Sequence, residues 1–359
     1  MHDDQTQNRQ TMEAADLKSM DISQLAVFLG SLGEPPFRAK QIFEWMHKKR
    51  AVDLEQMTNL SKDLRSRLRQ SAKLTVLRPV RVQTSKLDGT KKYLFALEDG
   101  NSIESVLMRY RHGNSVCISS QVGCRMACRF CASTIGGLVR DLSPSEMLEQ
   151  IYRVEADCGE RVSHVVVMGT GEPLDNYDNL LQFLRLLSDP NGLPISQRNI
   201  TVSTCGIAPK IRALADEKLQ ITLALSLHAP TQKKRERLMP VAAQYELCEV
   251  MEACDCYFAK TGRRMTFEYS LIHGVNDTPE DAEELAALLA GKNCHVNLIP
   301  VNPVRERDFV QPDGYETLAF KNKLEKYKIN VTIRRELGRD IDGACGQLRK
   351  KYEEGCGGA

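Results

Sequence analysis

From His164 onward the sequence alternates apolar runs with segments of helical period, and this constrains the fold more than any other feature. The runs are "HVVVMG", "NITVSTCG", "LQITLALSLH", "MTFEYSLI", "CHVNLIPV" and "INVTIRR". They are apolar through most consecutive positions, the pattern of strands buried on both faces, as in a parallel sheet. Between them lie helices near 176–188, 207–217, 245–261, from Pro279 to Ala290, and near 315–327. Strands alternating with helices predict an α/β fold. With the strand "NSVCISSQ" counted ahead of them, six or seven βα units fit, short of a closed eight-fold barrel. A partial, (βα)6-type TIM barrel is therefore expected, with its chemistry at the C-terminal ends of the strands. The polar motifs "GTGEP", "STCG", "SLH", "NP" and "GRDIDGACG" fall at those ends.

Upstream the pattern differs. The start, "MHDDQTQNRQTMEAADLKSM", has no apolar core for a secretory signal, and no run of eighteen apolar residues follows. A cytoplasmic protein without a membrane partner is expected. Ile22, Leu25, Phe28, Leu29 and Leu32 recur at helical spacing and end on Gly33, and Ser61 reads as an N-cap. In "FRAKQIFEWMHKKR", Ile42, Trp45, Met46 and Lys49 share a face, with Trp45 expected in the core. Residues 1–74 thus read as a small helical accessory domain. Residues 75–110 read as a β-meander extension with turns at Asp88-Gly89 and Asp99-Gly100, residues 111–345 as the main core, and 346–359 as a tail. The net charge is only +2, yet residues 36–92 carry fifteen Lys or Arg against five Asp or Glu. A basic module on an acidic body suggests that the accessory domain holds a polyanion such as RNA.

Twelve cysteines in a cytoplasmic chain argue against a disulfide framework. Cys158, Cys205, Cys248, Cys254, Cys256 and Cys294 are expected to act as packing residues, and Cys356 lies in the tail. Cys124, Cys128 and Cys131 form a C-x3-C-x2-C run. Three thiolates can hold three irons of a 4Fe–4S cluster and leave the fourth iron open to a small chelating molecule. A tetrahedral zinc site would need a fourth ligand, and the nearby candidates, His112 and Cys117, sit on the strand side of the motif.

The cysteine run resembles that of radical S-adenosylmethionine (SAM) enzymes, and "MGTGEP" at 168–173 resembles the glycine-rich strand end at which they bind SAM. Taken with "CISSQVGCRMACRFCAST", "ITVSTCGIAPKIRALAD", "LALSLHAPTQKKRERLMP", "FEYSLIHGVND", "HVNLIPVNPV" and "VTIRRELGRDIDGACGQL", the chain over roughly 95–348 resembles the RlmN/Cfr family of radical SAM RNA methyltransferases. "GEPL" and "NLIPVNP" look like the RlmN branch, whereas the Cfr branch, which modifies carbon 8 of adenosine, typically has Ala at the position of Pro173. Thr170 stands where the family usually has Met. The resemblance implies a partial barrel of the radical SAM superfamily, one [4Fe–4S] cluster with an open iron on Cys124, Cys128 and Cys131, and SAM as both methyl donor and radical source. It implies methylation of carbon 2 of an adenosine in the peptidyl-transferase centre of 23S rRNA and of the adenosine 3′ of the tRNA anticodon. That carbon is neither nucleophilic nor appreciably acidic, so direct methyl transfer to it fails. By resemblance, Cys345 takes a methyl from one SAM, a radical from a second SAM activates it, and a Cys117–Cys345 disulfide releases the RNA. Glu104 or Cys117 removes the proton. The SAM contacts carried over are Gly171, Glu172, Ser203, Ser226, Leu227, His228 and Asn302. The implied partners are 23S rRNA, tRNA, a flavodoxin-type one-electron reductant and a thiol reductant, with the enzyme a monomer. Two other classes of function compete: an activase that plants a glycyl radical on a partner protein, and a non-catalytic RNA-binding protein with a structural metal.

Overall fold

The computed structural model describes residues 14–302, 304 and 306–341. The chain divides into two compact units, Met1–Val76 with Pro190–Leu193, and Leu77–Asp189 with Pro194–Ala359.

The first unit contains helices α1 (Ile22–Ser31), α2 (Phe37–Phe43) and α3 (Lys62–Ser71). Asp21 caps α1 in a reciprocal capping box with Gln24, and the Ser61 side chain caps α3 by accepting from the Leu64 amide. Leu25, Leu29, Ile42, Phe43, Met46, Leu64 and Leu68 form the core with no exposed surface. Trp45 departs from expectation. The chain leaves α-helical pairing for a π turn at Glu44–Lys48, which rotates the indole off the buried stripe. Trp45 is half-buried, its Nε1 donates to Asn59 Oδ1 at 2.6 Å, and Lys49 Nζ lies 3.6 Å from its ring centroid. The basic surface is also partly neutralised from within. Arg67 pairs with Glu34 and Asp63, and Arg65 and Arg69 pair with Glu55, while Lys48 and Lys49 stay exposed.

The second unit is built on one ten-stranded sheet. Its strands are β1 (Arg78–Thr84), β2 (Lys91–Ala96), β3 (Ser102–Tyr110), β4 (Gly113–Ile118), β5 (Val162–Val167), β6 (Ile200–Thr204), β7 (Thr222–Ser226), β8 (Met265–Leu271), β9 (Cys294–Pro300) and β10 (Val331–Ile333). They lie in sequence order across the sheet. The first three pairings are antiparallel, and every pairing from β4 to β10 is parallel. Right-handed crossovers that always advance in one direction put their helices on one face, the arrangement of a barrel wall rather than a doubly wound sheet. The crossover helices are α4 (Pro144–Cys158), α5 (Tyr177–Leu187), α6 (Ala208–Asp216), α7 (Gln232–Leu238), α8 (Leu247–Thr261), α9 (Pro279–Leu289) and α10 (Gly314–Lys326). The edges β1 and β10 do not pair with each other, so the barrel is partial. The chain after β10 spans the opening. Gly338 donates its amide to Asp88 at 2.9 Å, and Asp340 accepts from Ser85 Oγ at 2.6 Å and from the Lys86 amide at 2.7 Å.

The register divides the sheet's residues between two faces. Val116, Val165, Val202, Leu223, Phe267 and Val296 fall on one face and are buried. Each full burial of such a side chain contributes about 1.5–3 kcal/mol, so the stability of the barrel wall resides there. The opposite face carries Cys117, Thr201, Ser203, Ser226, Glu268 and Asn297. A polar inner face of this kind is shaped for a ligand.

Two helices escape the sequence reading. α4 opens on a Ser143–Glu146 capping box and buries nearly its whole first half. α7, "QKKRERL", reads as a solvated charge run, yet Arg235 within it has no exposed surface. Of the six cysteines expected to pack, Cys205, Cys254 and Cys294 are buried. Cys158 and Cys256 are intermediate, and Cys248 is exposed on α8, whose polar face it occupies.

Candidate active site

The three cysteines lie on the loop between the short strands Gln121–Gly123 and Leu138–Asp141, which pair antiparallel. This hairpin is tight. Gly123 takes φ +78, and a Cβ there would lie 2.0 Å from the Gly137 carbonyl oxygen, so only glycine fits immediately before Cys124. The Cys124 amide donates to that same carbonyl at 2.9 Å. Thr134 Oγ1 donates to the carbonyls of Cys128 and Cys131, closing the loop on itself. Arg129 donates its amide to Leu238 at the end of α7 at 2.9 Å, and the Phe130 ring meets His228 edge-on at 4.8 Å.

Burial, reinforced by neighbouring acids and thiols, raises the Cys124 thiol to about 12, and burial pushes Cys128 up as well. A loop that resists bare thiolates but gathers three of them needs a cationic centre to neutralise them. The donor set therefore fits an iron–sulfur cluster held by Cys124, Cys128 and Cys131.

Four strand ends converge beside this loop. After β5, Gly171 takes φ +114, and a Cβ there would lie 2.7 Å from Ser120 Oγ and from Gln121 Cβ. Glu172 is buried, donates its amide to Gln121 Oε1, and accepts from the Leu174 and Cys205 amides at 3.0 and 2.7 Å. Its carboxylate thus joins the end of β5 to that of β6, while burial raises its pKa. At the ends of β6 and β7, Ser203 Oγ and Ser226 Oγ lie 3.3 Å apart. The Leu227 amide donates to the Glu268 carbonyl on β8. His228 adopts left-handed φ +57, and its Nδ1 accepts from the Ser270 amide at 2.9 Å. Burial, with Arg235 nearby, lowers its pKa to about 3. A neutral imidazole accepting at Nδ1 carries its proton on Nε2, so His228 is a fixed donor.

A cavity of about 390 Å³ opens on the inner face. Its walls include Val106, Met108 and Cys117 from β3 and β4, Asn302 after β9, and Arg334, Arg335 and Arg339 from the segment after β10. Glu104 lies on the same face of β3 as Val106, the register partner of Cys117. It is buried and paired with the fully buried Lys92, Nζ to Oε2 3.1 Å. A glutamate in a meander strand is ordinarily exposed, and this one is not. Cys345 lies outside the described residues.

The structure thus brings Gly171, Glu172, Ser203, Ser226, Leu227 and His228 to one edge with the cysteine loop, and puts Cys117 and Asn302 on a shared cavity. Sequence reasoning missed three residues. Glu268 is a buried carboxylate on the inner face whose Oε2 accepts from Asn297 Nδ2 at 2.8 Å, and its signal was a lone acid in the apolar run "MTFEYSLI". Cys205, buried as a packing residue, also holds Glu172 and Arg235 through its backbone amide and carbonyl. Lys92 is the third, and no local signal marks it.

Known proteins resemble the chain over nearly its whole length. Residues 15–74 match the family described as "Ribosomal RNA large subunit methyltransferase N-terminal domain", and 118–289 match "Radical SAM superfamily". A "Probable dual-specificity RNA methyltransferase RlmN" of Lachnospira eligens is 62% identical over 94% of this chain and 97% of its own length. The protein of the same description from Bacillus licheniformis is 54% identical, covering 95% of each chain. The crystal structure of a radical SAM methyltransferase from Sphaerobacter thermophilus superposes with a TM-score of 0.89 at 43% identity, covering 93% of this chain and 98% of that one.

Proposed function

This chain belongs to the RlmN family of radical SAM RNA methyltransferases, and we propose on that premise that it methylates carbon 2 of adenosine in 23S rRNA and in tRNA, at the base 3′ of the anticodon. The observation that carries this reading is the position of Cys117. A thiol outside the cluster motif borders the inner cavity, opposite a segment bearing Arg334, Arg335 and Arg339. A radical SAM enzyme with no thiol intermediate has no need of that cysteine, and an RNA substrate needs cations for its phosphates.

The cluster and SAM, when bound, supply a methyl group and a hydrogen-abstracting radical. The chain's own residues do the rest. Cys345 as thiolate accepts the methyl group and, once activated, joins its carbon to carbon 2. Glu104, held by Lys92, or Cys117 at the cavity wall accepts the carbon-2 proton. Cys117 as thiolate then attacks the Cys345 sulfur, the carbon–sulfur bond breaks, the methylene left on the base takes up a proton to become the methyl group, and the odd electron passes back to the one-electron carrier that serves the enzyme. A thiol reductant reopens the disulfide. Gly171, Glu172, Ser203, Ser226, Leu227, His228 and Asn302 hold SAM, with His228 Nε2 as a donor to it.

The 1–74 domain binds RNA through Lys48, Lys49 and their neighbours. The enzyme works as a cytoplasmic monomer fed by a flavodoxin-type reductant. Among the described residues no helix is long and apolar enough to cross a membrane.

The test is to incubate the reconstituted enzyme with methyl-labelled SAM, reductant and unmodified 23S rRNA or tRNA, then digest the RNA and identify the nucleoside by mass spectrometry. The expected product is 2-methyladenosine. A product carrying only 8-methyl groups overturns the assignment, and full activity in Cys345→Ala overturns the thiol route.

A further inference from the structure

Arg235 is a guanidinium with no exposed surface, on a helix whose sequence reads as solvent-facing. Its Nη2 donates to the Cys205 carbonyl at 2.5 Å, while Nε and Nη1 have no partner among the described residues. Burying a cation with idle donors is costly unless something compensates. The fold nonetheless makes room for it. Gly206 takes φ +101, and a Cβ there would press on Arg235 Nη2 at 3.0 Å. The titratable groups that act on the guanidinium are the thiols of Cys205, Cys128 and Cys254. α7 itself is docked on the cysteine loop through the Arg129 amide and the Leu238 carbonyl. The uncompensated cation therefore sits beside the place where three thiolates must gather.

We infer that Arg235 is a positioning residue for the iron–sulfur cluster: a buried guanidinium, held in place by the Cys205 carbonyl and the hollow at Gly206, that offsets the negative charge of the thiolate-bound cluster and favours its reduced state. Three thiolates on a 4Fe–4S core make an anion, and adding one electron makes it more negative. A fixed positive charge nearby therefore stabilises the reduced form more than the oxidised one. The inference rests on the cluster common to the family and not on which base carbon is methylated.

The test compares the parent with Arg235→Met and Arg235→Lys, each reconstituted anaerobically and titrated with the cluster followed by electron paramagnetic resonance. Arg235→Met is expected to lower the reduced-to-oxidised ratio at a given potential about tenfold, a midpoint shift of ~59 mV for a one-electron couple. Arg235→Lys keeps the charge and is expected within about threefold of the parent. Without cluster, Arg235→Met should melt at or above the parent, having shed an uncompensated buried charge. A parent-like midpoint in Arg235→Met overturns the inference. So does a cluster-free Arg235→Met that melts lower or fails to fold, which would make the guanidinium a structural prop for Cys205.

Discussion

Replacing Lys92 by Met tests whether the carboxylate at the heart of the proposed chemistry is held by a charge. Lys92 and Glu104 are 0% and 4% exposed and meet at 3.1 Å on adjacent strands. Met fills most of the volume of the lysine stem but removes the ammonium that meets the buried Glu104 carboxyl. Breaking a buried pair from one side costs about 3–5 kcal/mol, whereas replacing both members by apolar groups is often neutral. Lys92→Met is therefore expected to lose ~3 kcal/mol, and Lys92→Met/Glu104→Leu to come within about 1 kcal/mol of the parent. With a urea m-value of about 3 kcal/mol/M for a chain of this size, the single variant's midpoint falls by roughly 1 M. The assay is urea unfolding of the cluster-free proteins followed by circular dichroism. A Lys92→Met midpoint unchanged from the parent would refute the reasoning, as would a double variant no more stable than the single. Glu104→Gln keeps the shape and an acceptor for Lys92 but removes the counter-charge, so it too should lose stability, and methylation lost by the fraction that remains folded would belong to proton acceptance.

Gly123→Ala forces a methyl group onto the Gly137 carbonyl next to Cys124, so iron per chain after reconstitution should fall well below the parent's, and a parent-like count would show that the hairpin yields. His47, buried in the accessory domain, has its pKa lowered to about 3 by burial, with Lys18 nearby. The folded form resists protonation, so the stability that depends on neutral His47 is present above pH ~6.5 and lost as pH falls toward 3, by about 1.4 kcal/mol per pH unit. His47→Phe should accordingly lose ~2 kcal/mol less than the parent between pH 6.5 and 4.5, and superimposable acid-stability profiles would contradict this. Lys48→Glu/Lys49→Glu, on exposed residues that leave the inner ion pairs intact, should weaken RNA binding and lower the slope of log K against log salt by up to about 2. An unchanged slope would mark that face as merely solvated.

The sequence made the barrel legible because each strand is apolar through most of its length and most of the crossover helices are amphipathic, so period and order together indicate a parallel, singly wound sheet. The site was legible where function needs a contiguous motif: the cysteine loop, "GTGEP" and "SLH" are each one stretch of chain at one strand end. What escaped depends on pairing across the chain. Glu104 looks exposed because an acid in a meander strand usually is, and only the register of β2 against β3 reveals Lys92 beside it.

Arg235 escaped for a different reason. In "QKKRERL" five of seven residues are charged, and no periodicity distinguishes the one that points inward. Its burial is decided by a glycine twenty-nine positions earlier and by the docking of α7 on the cysteine loop. Reading such a residue from sequence would require knowing that a cavity beside the thiols demands a cation, which is information about the cluster and not about the chain. An uncompensated buried charge is costly, so a partner that arrives from outside is one way for the fold to tolerate it. The two nitrogens of Arg235 that lack a partner among the described residues, and the three cysteines gathered on the neighbouring loop, are then two halves of one arrangement that the cluster completes.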